Sequence, residues 1–243
     1  MRIGIIQTRG MGDIIIAAPI AMYWLERGHE VFWPIDSEFL EAFTYALPGI
    51  QFLPVDKAVT GANTAEFFVE MPRRILNHLG CEQVHTLYSY LTGYDFGHNE
   101  LSEAVSFDSY KYAVTGVPLA EKWNLKIRRN VLREAELFRQ LNLSPSEEYV
   151  VCHEHGTVYS HDFTKECDRF ATGKRVVRIS PLTTNFLDWL GVLECCHSFF
   201  TVNSVYSNLV DQLKMPCSKF LKSQTSSRWT PVFLHNWKFI CKI

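Results

Sequence analysis

Hydrophobic and polar positions at the start of the chain follow a strand, turn and helix rhythm. Arg2 to Gln7 encloses a short continuous apolar run, and Ile3 to Ile6 reads as a buried strand. Thr8-Arg9-Gly10-Met11-Gly12-Asp13 is a glycine-punctuated turn, and Ile14 to Arg27 is an apolar stretch of helical length. Asp13 suits an N-cap or first-turn position, where a negative charge meets the positive end of the helix dipole. Pro19 predicts a kink or a second start within that helix, and Arg27-Gly28-His29 supplies a C-terminal stop. A second strand is expected over Glu30 to Pro34, ending at Ile35-Asp36, then a helix over Glu38 to Leu47 and a third strand over Ile50 to Val55. This alternation predicts a parallel sheet covered by helices, with the Gly10–Asp13 turn at the carboxyl edge where open α/β sheets bind ligands.

Further along, Thr60 to Thr64 reads as a loop, Glu66 to Glu70 as a strand, Pro72 to Leu79 as a helix and Val84 to Tyr90 as a strand. Tyr94-Asp95-Phe96-Gly97-His98-Asn99 is a polar, aromatic loop, and helices are expected over Ser102 to Thr115 and Asn130 to Leu141. Leu143-Ser144-Pro145-Ser146 is a natural boundary. A second α/β pattern follows, with strands over Tyr149 to Cys152, Lys174 to Ile179, Phe199 to Val202 and Ser218 to Leu221. Helices are expected over Asn185 to Cys196 and from Asn203-Ser204 to Leu213, stopped by Met215-Pro216. The tail carries Trp229, Phe233, Trp237 and Phe239. The expected division is an N-terminal domain over 1–143, a C-terminal domain over 144–225, and a tail over 226–243 that could pack back on the first domain.

Composition narrows the function. A chain of 243 residues with 47% hydrophobic content can bury two cores. Its net charge of −2 gives no global drive toward nucleic acid or anionic membrane, although a local basic patch is compatible with it. Seven cysteines without any CxxC spacing argue against a zinc ribbon and a disulfide framework, and suit free thiols in a reducing compartment. The first apolar run follows an acidic residue and contains Pro19, unlike a signal peptide. With no apolar run of about 20 residues, the expectation is a cytoplasmic protein without stable membrane insertion. The oligomeric state is not legible.

Three stretches could carry chemistry. Gly10, Met11 and Gly12 lack the third glycine of GxGxxG and the lysine of a P-loop, which argues against triphosphate hydrolysis. Their glycines let a ligand approach the backbone, although a plain tight turn would use them equally. Asn203-Ser204 opens a helix bearing Val205, Tyr206 and Ser207, so its free amides could bind an anion; an ordinary N-cap is the plainer alternative. His153, His155 and His161 share a loop with Glu154, Gly156 and Asp162, suited to phosphate or substrate contacts or to simple solvation. His-x-His could donate two nitrogens to a metal, yet no supporting spacing accompanies it, and no metal site is expected. Neither a nucleophile elbow nor a Tyr-x-x-x-Lys pair is found, which argues against an acyl hydrolase or a sugar-nucleotide epimerase or dehydrogenase.

Met1-Arg2-Ile3-Gly4-Ile5-Ile6-Gln7-Thr8, then Met11-Gly12-Asp13-Ile14, then Ala18-Pro19, resembles the amino-terminal end of bacterial lipopolysaccharide heptosyltransferases, glycosyltransferase family 9. Val150-Val151-Cys152-His153 and Asn185 to Pro216 are similar to that family's donor-binding half. Asn203 stands for the family's aspartate, Ser204 keeps a hydroxyl, Val205 stands for its glycine and Asn208 for its histidine. The resemblance implies a GT-B-like α/β fold, with two Rossmann-like domains whose parallel sheets face a central cleft. It implies an inverting, metal-independent transferase using an ADP-, UDP- or GDP-sugar as substrate and a glycan or other hydroxyl compound as acceptor, with no cofactor. Asp13 would be the general base. Gly10, Met11, Gly12, His153, His155, Gly156, Arg178 and Asn203 to Ser207 would surround the donor phosphates. Ser180, Pro181 and Leu182 would flank the nucleoside. The departures at Asn203, Val205 and Asn208 leave two alternatives open: a catalytically silent binding protein, or a transferase acting on modified DNA bases, which would need a basic face.

Overall fold

The computed structural model describes residues 1–89, 91, 93–97, 99–106, 108–144, 146–157, 159–223, 230–234 and 236–240. Tyr90, His98, Pro145, Trp229 and Cys241, which the sequence reading included, lie outside them. The chain divides into two compact units, Met1–Arg128 with Ser227–Val232, and Arg129–Ser226 with Phe233–Ile243.

In the first unit, strands β1 (Arg2–Ile6), β2 (Glu30–Asp36), β3 (Ile50–Val55) and β4 (Gln83–Thr86) form a sheet in the order β3-β2-β1-β4. Every pairing is parallel, with Ile3 opposite Val31 and Gln83. Parallel neighbours need crossover helices. These are α1 (Met11–Leu25), α2 (Leu40–Ala46), the short α3 (Lys57–Thr60) and α4 (Met71–His78). Helices α5 (Asn99–Ala104) and α6 (Ser109–Thr115) follow the sheet, and a 3-10 turn spans Leu119–Asn124. The core is β-branched and aromatic, with Ile3, Ile5, Val31, Trp33, Phe43 and Phe67 fully buried.

Gly10 is the N-cap of α1, and Asp13 lies in its first turn, the second of its two expected positions. Three expectations need correction. Pro19 does not divide α1, which runs unbroken through it. Tyr112 supports the preceding turn by donating its hydroxyl to the Ile16 carbonyl at 2.8 Å. The strand expected over Glu66 to Glu70 is a π-helical turn, Glu66–Glu70, that runs into α4. A short apolar run cannot separate a strand from a buried helix by periodicity alone. Pro72 explains the widened turn, since proline withholds an N–H from the carbonyl four residues back and crowds it. That carbonyl belongs to Phe68, and it accepts the Thr8 hydroxyl at 3.1 Å instead. Finally, the helix expected over Ser102 to Thr115 is two helices, α5 and α6.

In the second unit, β5 (Tyr149–His153), β6 (Arg175–Arg178), β7 (Ser198–Val202), β8 (Ser218–Lys222) and β9 (Trp237–Phe239) form a wholly parallel sheet in the order β6-β5-β7-β8-β9. Its helices are α7 (Val131–Gln140), α8 (Thr164–Phe170), α9 (Leu190–Cys195), preceded by the 3-10 turn Phe186–Trp189, and α10 (Val205–Gln212). The sequence reading did not anticipate α8. Phe163, Phe200, Val150 and Val202 form one buried cluster with Cys152 and Cys167. Helix α7 belongs to this unit, so the division falls ahead of it and not at 143/144. Its capping segment is tied there by charge: Arg133 grips Asp188 at 2.8 Å, and Arg129 pairs with both Glu134 and Glu194. The tail is shared in sequence, with 230–232 in the first unit and 233–240 in the second.

Candidate functional site

In the first unit the candidate residues gather where β1 ends and α1 begins. Gly10 takes φ +89, and a Cβ placed on it would lie 2.7 Å from Asp13 Oδ2, so the turn needs glycine there. Two backbone donors of the turn, Thr8 N–H and Arg9 N–H, point to the Tyr88 hydroxyl at 2.8 and 3.2 Å. Burial pushes the Tyr88 phenol up to about 12, so it stays neutral. Arg9 reaches toward the buried Asp36 carboxylate, Nε to Oδ2, at 3.8 Å. Asp13 keeps 30% of its side chain exposed, which leaves a carboxylate open to a ligand at the carboxyl edge of the sheet.

Beneath it lies a group that was not among the expected site residues. Lys111 of α6 is 1% exposed, and its Nζ lies 3.1 Å from Asp13 Oδ1. The same ammonium donates to Gln7 Oε1 at 2.7 Å and to the Leu87 carbonyl at 3.0 Å. Burial is the largest influence on Lys111 and opposes its charge, but Asp13 and Tyr110 outweigh it and hold its pKa above the ordinary lysine value. The signal available in the sequence was a lone lysine between two aromatics, Tyr110 and Tyr112, on a helix whose neighbours are buried.

In the second unit, β5 and β7 end side by side, with His153 opposite Thr201. The loop after β5 is a tight hairpin bridged between His155 and Ser160, and Gly156 lets it approach the Asn203 carbonyl, where an added Cβ would lie at 3.2 Å. The His153 ring meets Tyr206 edge-on at 4.8 Å, and its buried Nδ1 has no hydrogen-bond partner. Burial, aided by His155, depresses its pKa to about 4, so the imidazole is neutral. His161 is engaged by Glu166 at 2.9 Å. Arg178 is engaged too, by Glu154 at 3.2 Å and the Thr164 hydroxyl at 3.0 Å.

Ser204 caps α10 with a reciprocal capping box: Ser207 N–H donates to Ser204 Oγ, and Ser204 N–H donates to Ser207 Oγ. This corrects the expectation that the Ser204 amide faces a ligand, because its donor is already used. Val205 and Tyr206 supply the next two amides, which have no acceptor within the helix. Their side chains are buried, as is Asn208, whose Oδ1 lacks a partner. Ser180, Pro181 and Leu182 form an exposed loop after β6. Behind that loop Thr183 donates to Asp188, which Arg133 holds through two nitrogens, a clasp the sequence reading missed. Among the described residues, no three His, Cys, Asp or Glu side chains are grouped as a metal site, and no helix is long and apolar enough to cross a membrane.

No family model and no curated protein matches the sequence. Solved structures do match the fold. A glycosyl transferase family 9 protein from Veillonella parvula DSM 2008 superposes with a TM-score of 0.69 at 14% identity, over 98% of this chain and 86% of that one. The E. coli ADP-heptose lps heptosyltransferase II gives 0.65 at 13% identity, over 100% and 91%. E. coli heptosyltransferase WaaC with ADP-2-deoxy-2-fluoro heptose gives 0.53 at 12%, over 99% and 93%. The fold is therefore α/β with two parallel sheets, and it is the GT-B fold of these family 9 glycosyltransferases.

Proposed function

We propose that the chain is a glycosyltransferase that moves a sugar from a nucleotide-sugar donor to an acceptor hydroxyl, inverting the anomeric centre without a metal. The observation that carries this reading is Asp13, an accessible carboxylate held in the first turn of α1 at the carboxyl edge of a parallel sheet. A carboxylate is ionised at neutral pH and can act as a base unaided. Asp13 takes the hydroxyl proton as the acceptor oxygen attacks the anomeric carbon, and the bond from that carbon to the diphosphate breaks with its electron pair leaving on the nucleotide.

The diphosphate would lie at the start of α10, against the Val205 and Tyr206 amides and the Ser204 hydroxyl, with His153 and Gly156 opposite. A neutral His153 offers a hydrogen bond and no charge. Arg178 would act chiefly by bracing the loop through Glu154. The Ser180–Leu182 loop would flank the base. The similar WaaC structure, with its ADP-2-deoxy-2-fluoro heptose, supports a nucleotide-sugar donor. We place the protein in the cytoplasm, which suits the six free thiols among the described residues.

A thermal-shift screen of ADP, UDP, GDP and their sugars tests the donor site, because a ligand that binds only the folded state raises the melting temperature. At least one should raise it; no shift with any of them sinks the reading. Asp13→Asn should keep the shift and lose transfer by about 10²–10⁴-fold. A shift without turnover in the unaltered protein, against an acceptor panel and water, would favour a silent binding protein, the reading that Asn203, Val205 and Asn208 suggest.

A further inference from the structure

We propose that Lys111 is a positioning residue for Asp13, gripping one carboxylate oxygen so that the other is presented to the acceptor hydroxyl. This rests on the reading of Asp13 as the base, and it assigns each oxygen a separate task.

The geometry divides the carboxylate. Oδ1 lies 3.1 Å from Lys111 Nζ. Oδ2 lies over Gly10, close enough that a Cβ there would come within 2.7 Å of it. Lys111 is itself fixed: two neutral acceptors, Gln7 Oε1 and the Leu87 carbonyl, take its other protons at 2.7 and 3.0 Å. Gln7 is 1% exposed and donates its amide to the Arg9 carbonyl at 2.9 Å, which joins the ammonium to the same turn. A buried ammonium needs a counter-charge, and breaking such a pair leaves an uncompensated charge. Asp13 is therefore held in one rotamer, with Oδ1 occupied. The acceptor proton goes to Oδ2, the new bond forms from acceptor oxygen to anomeric carbon, and the leaving nucleotide takes the electron pair of the bond that breaks.

The test observes Lys111 directly. Protein carrying ¹⁵N-lysine shows the Nζ signal of Lys111, assigned by its loss in Lys111→Met. Besides Asp13, the titratable groups facing this ammonium are Tyr110 and Tyr88. In Asp13→Asn, which keeps the side-chain shape, burial is left to dominate, and Lys111 should release its proton at a lower pH than in the unaltered protein. An identical titration in both proteins overturns the pairing and with it the proposal. Nucleoside diphosphate release from the sugar nucleotide giving the largest thermal shift separates this from the functional reading. A displaced titration with turnover lost in both Asp13→Asn and Lys111→Met supports the positioning role. A displaced titration with turnover intact in Asp13→Asn overturns the base, and leaves an ion pair that positions nothing. An unmoved titration with turnover lost keeps the base and removes Lys111 from its support.

Discussion

Gly10 adopts a backbone conformation that L side chains rarely enter, with Asp13 Oδ2 filling the space a side chain would take. Gly10→Ala should therefore displace the carboxylate as well as strain the turn. Its expected signature is a fall in kcat of about 10²-fold with sugar-nucleotide binding, measured by thermal shift, unchanged, because the proposed donor contacts lie in the other unit. His153 supplies a second prediction. Its folded pKa is depressed to about 4, whereas an unburied histidine titrates near 6.5. Between those pH values the unfolded chain binds the extra proton, so stability falls as pH drops through this window and is fully present above it. His153→Gln should flatten that segment of a plot of Tm against pH; an unchanged slope would show that the ring is not desolvated.

At the scale of elements, the π-turn before α4 depends on one borrowed hydroxyl. Thr8 is fully buried, and its hydroxyl satisfies the Phe68 carbonyl that Pro72 leaves without a donor. Thr8→Val should cost about 0.5–1.5 kcal/mol in urea unfolding, since it removes a hydrogen bond to a half-buried carbonyl. Removing the α10 cap with Ser204→Ala should cost about 1 kcal/mol. Strands β1, β2, β3, β5 and β7 were legible as continuous apolar runs between turn signals, and the caps at Asn130, Asn185 and Ser204 were legible as starts of helices. The segment Glu66–Glu70 was not, because Phe67 and Val69 are buried in either conformation, and what decides between them is a proline downstream and a threonine far upstream. The Gly10–Asp13 turn was legible because its strand, glycines and helix follow one another along the sequence. Lys111 was not, because its partners are Gln7, Asp13 and Leu87, brought together only by the sheet.

At the scale of the molecule, two α/β units are each completed by the tail. In the first, the fully buried pair Asp108 and Lys122 clamps Val232: both Asp108 oxygens accept its N–H, at 3.1 and 3.0 Å, and Lys122 donates to its carbonyl. In the second, Asp211 accepts from Leu234 N–H at 3.0 Å and from Trp237 Nε1 at 2.8 Å. Lys122→Met should destabilise the first unit by about 3–5 kcal/mol, because it leaves Asp108 buried without a counter-charge. Lys122→Met combined with Asp108→Leu should recover part of that loss in equilibrium unfolding; an equal or greater loss would assign the cost to packing.

The same tail sets an order of events during synthesis. All the strand pairings in both sheets are parallel, so no neighbouring strands can zip together through a short hairpin. Asp108 waits for Val232, 124 positions later, and β8 waits for β9. A nascent chain that has made everything up to β8 therefore carries two sheaths of secondary structure, each missing a seam. In that intermediate the Asp108 and Asp211 carboxylates have not yet received the N–H groups of Val232, Leu234 and Trp237. The last contacts of each unit therefore form only once residues 230–240 have been made, however early the rest of either sheet is in place.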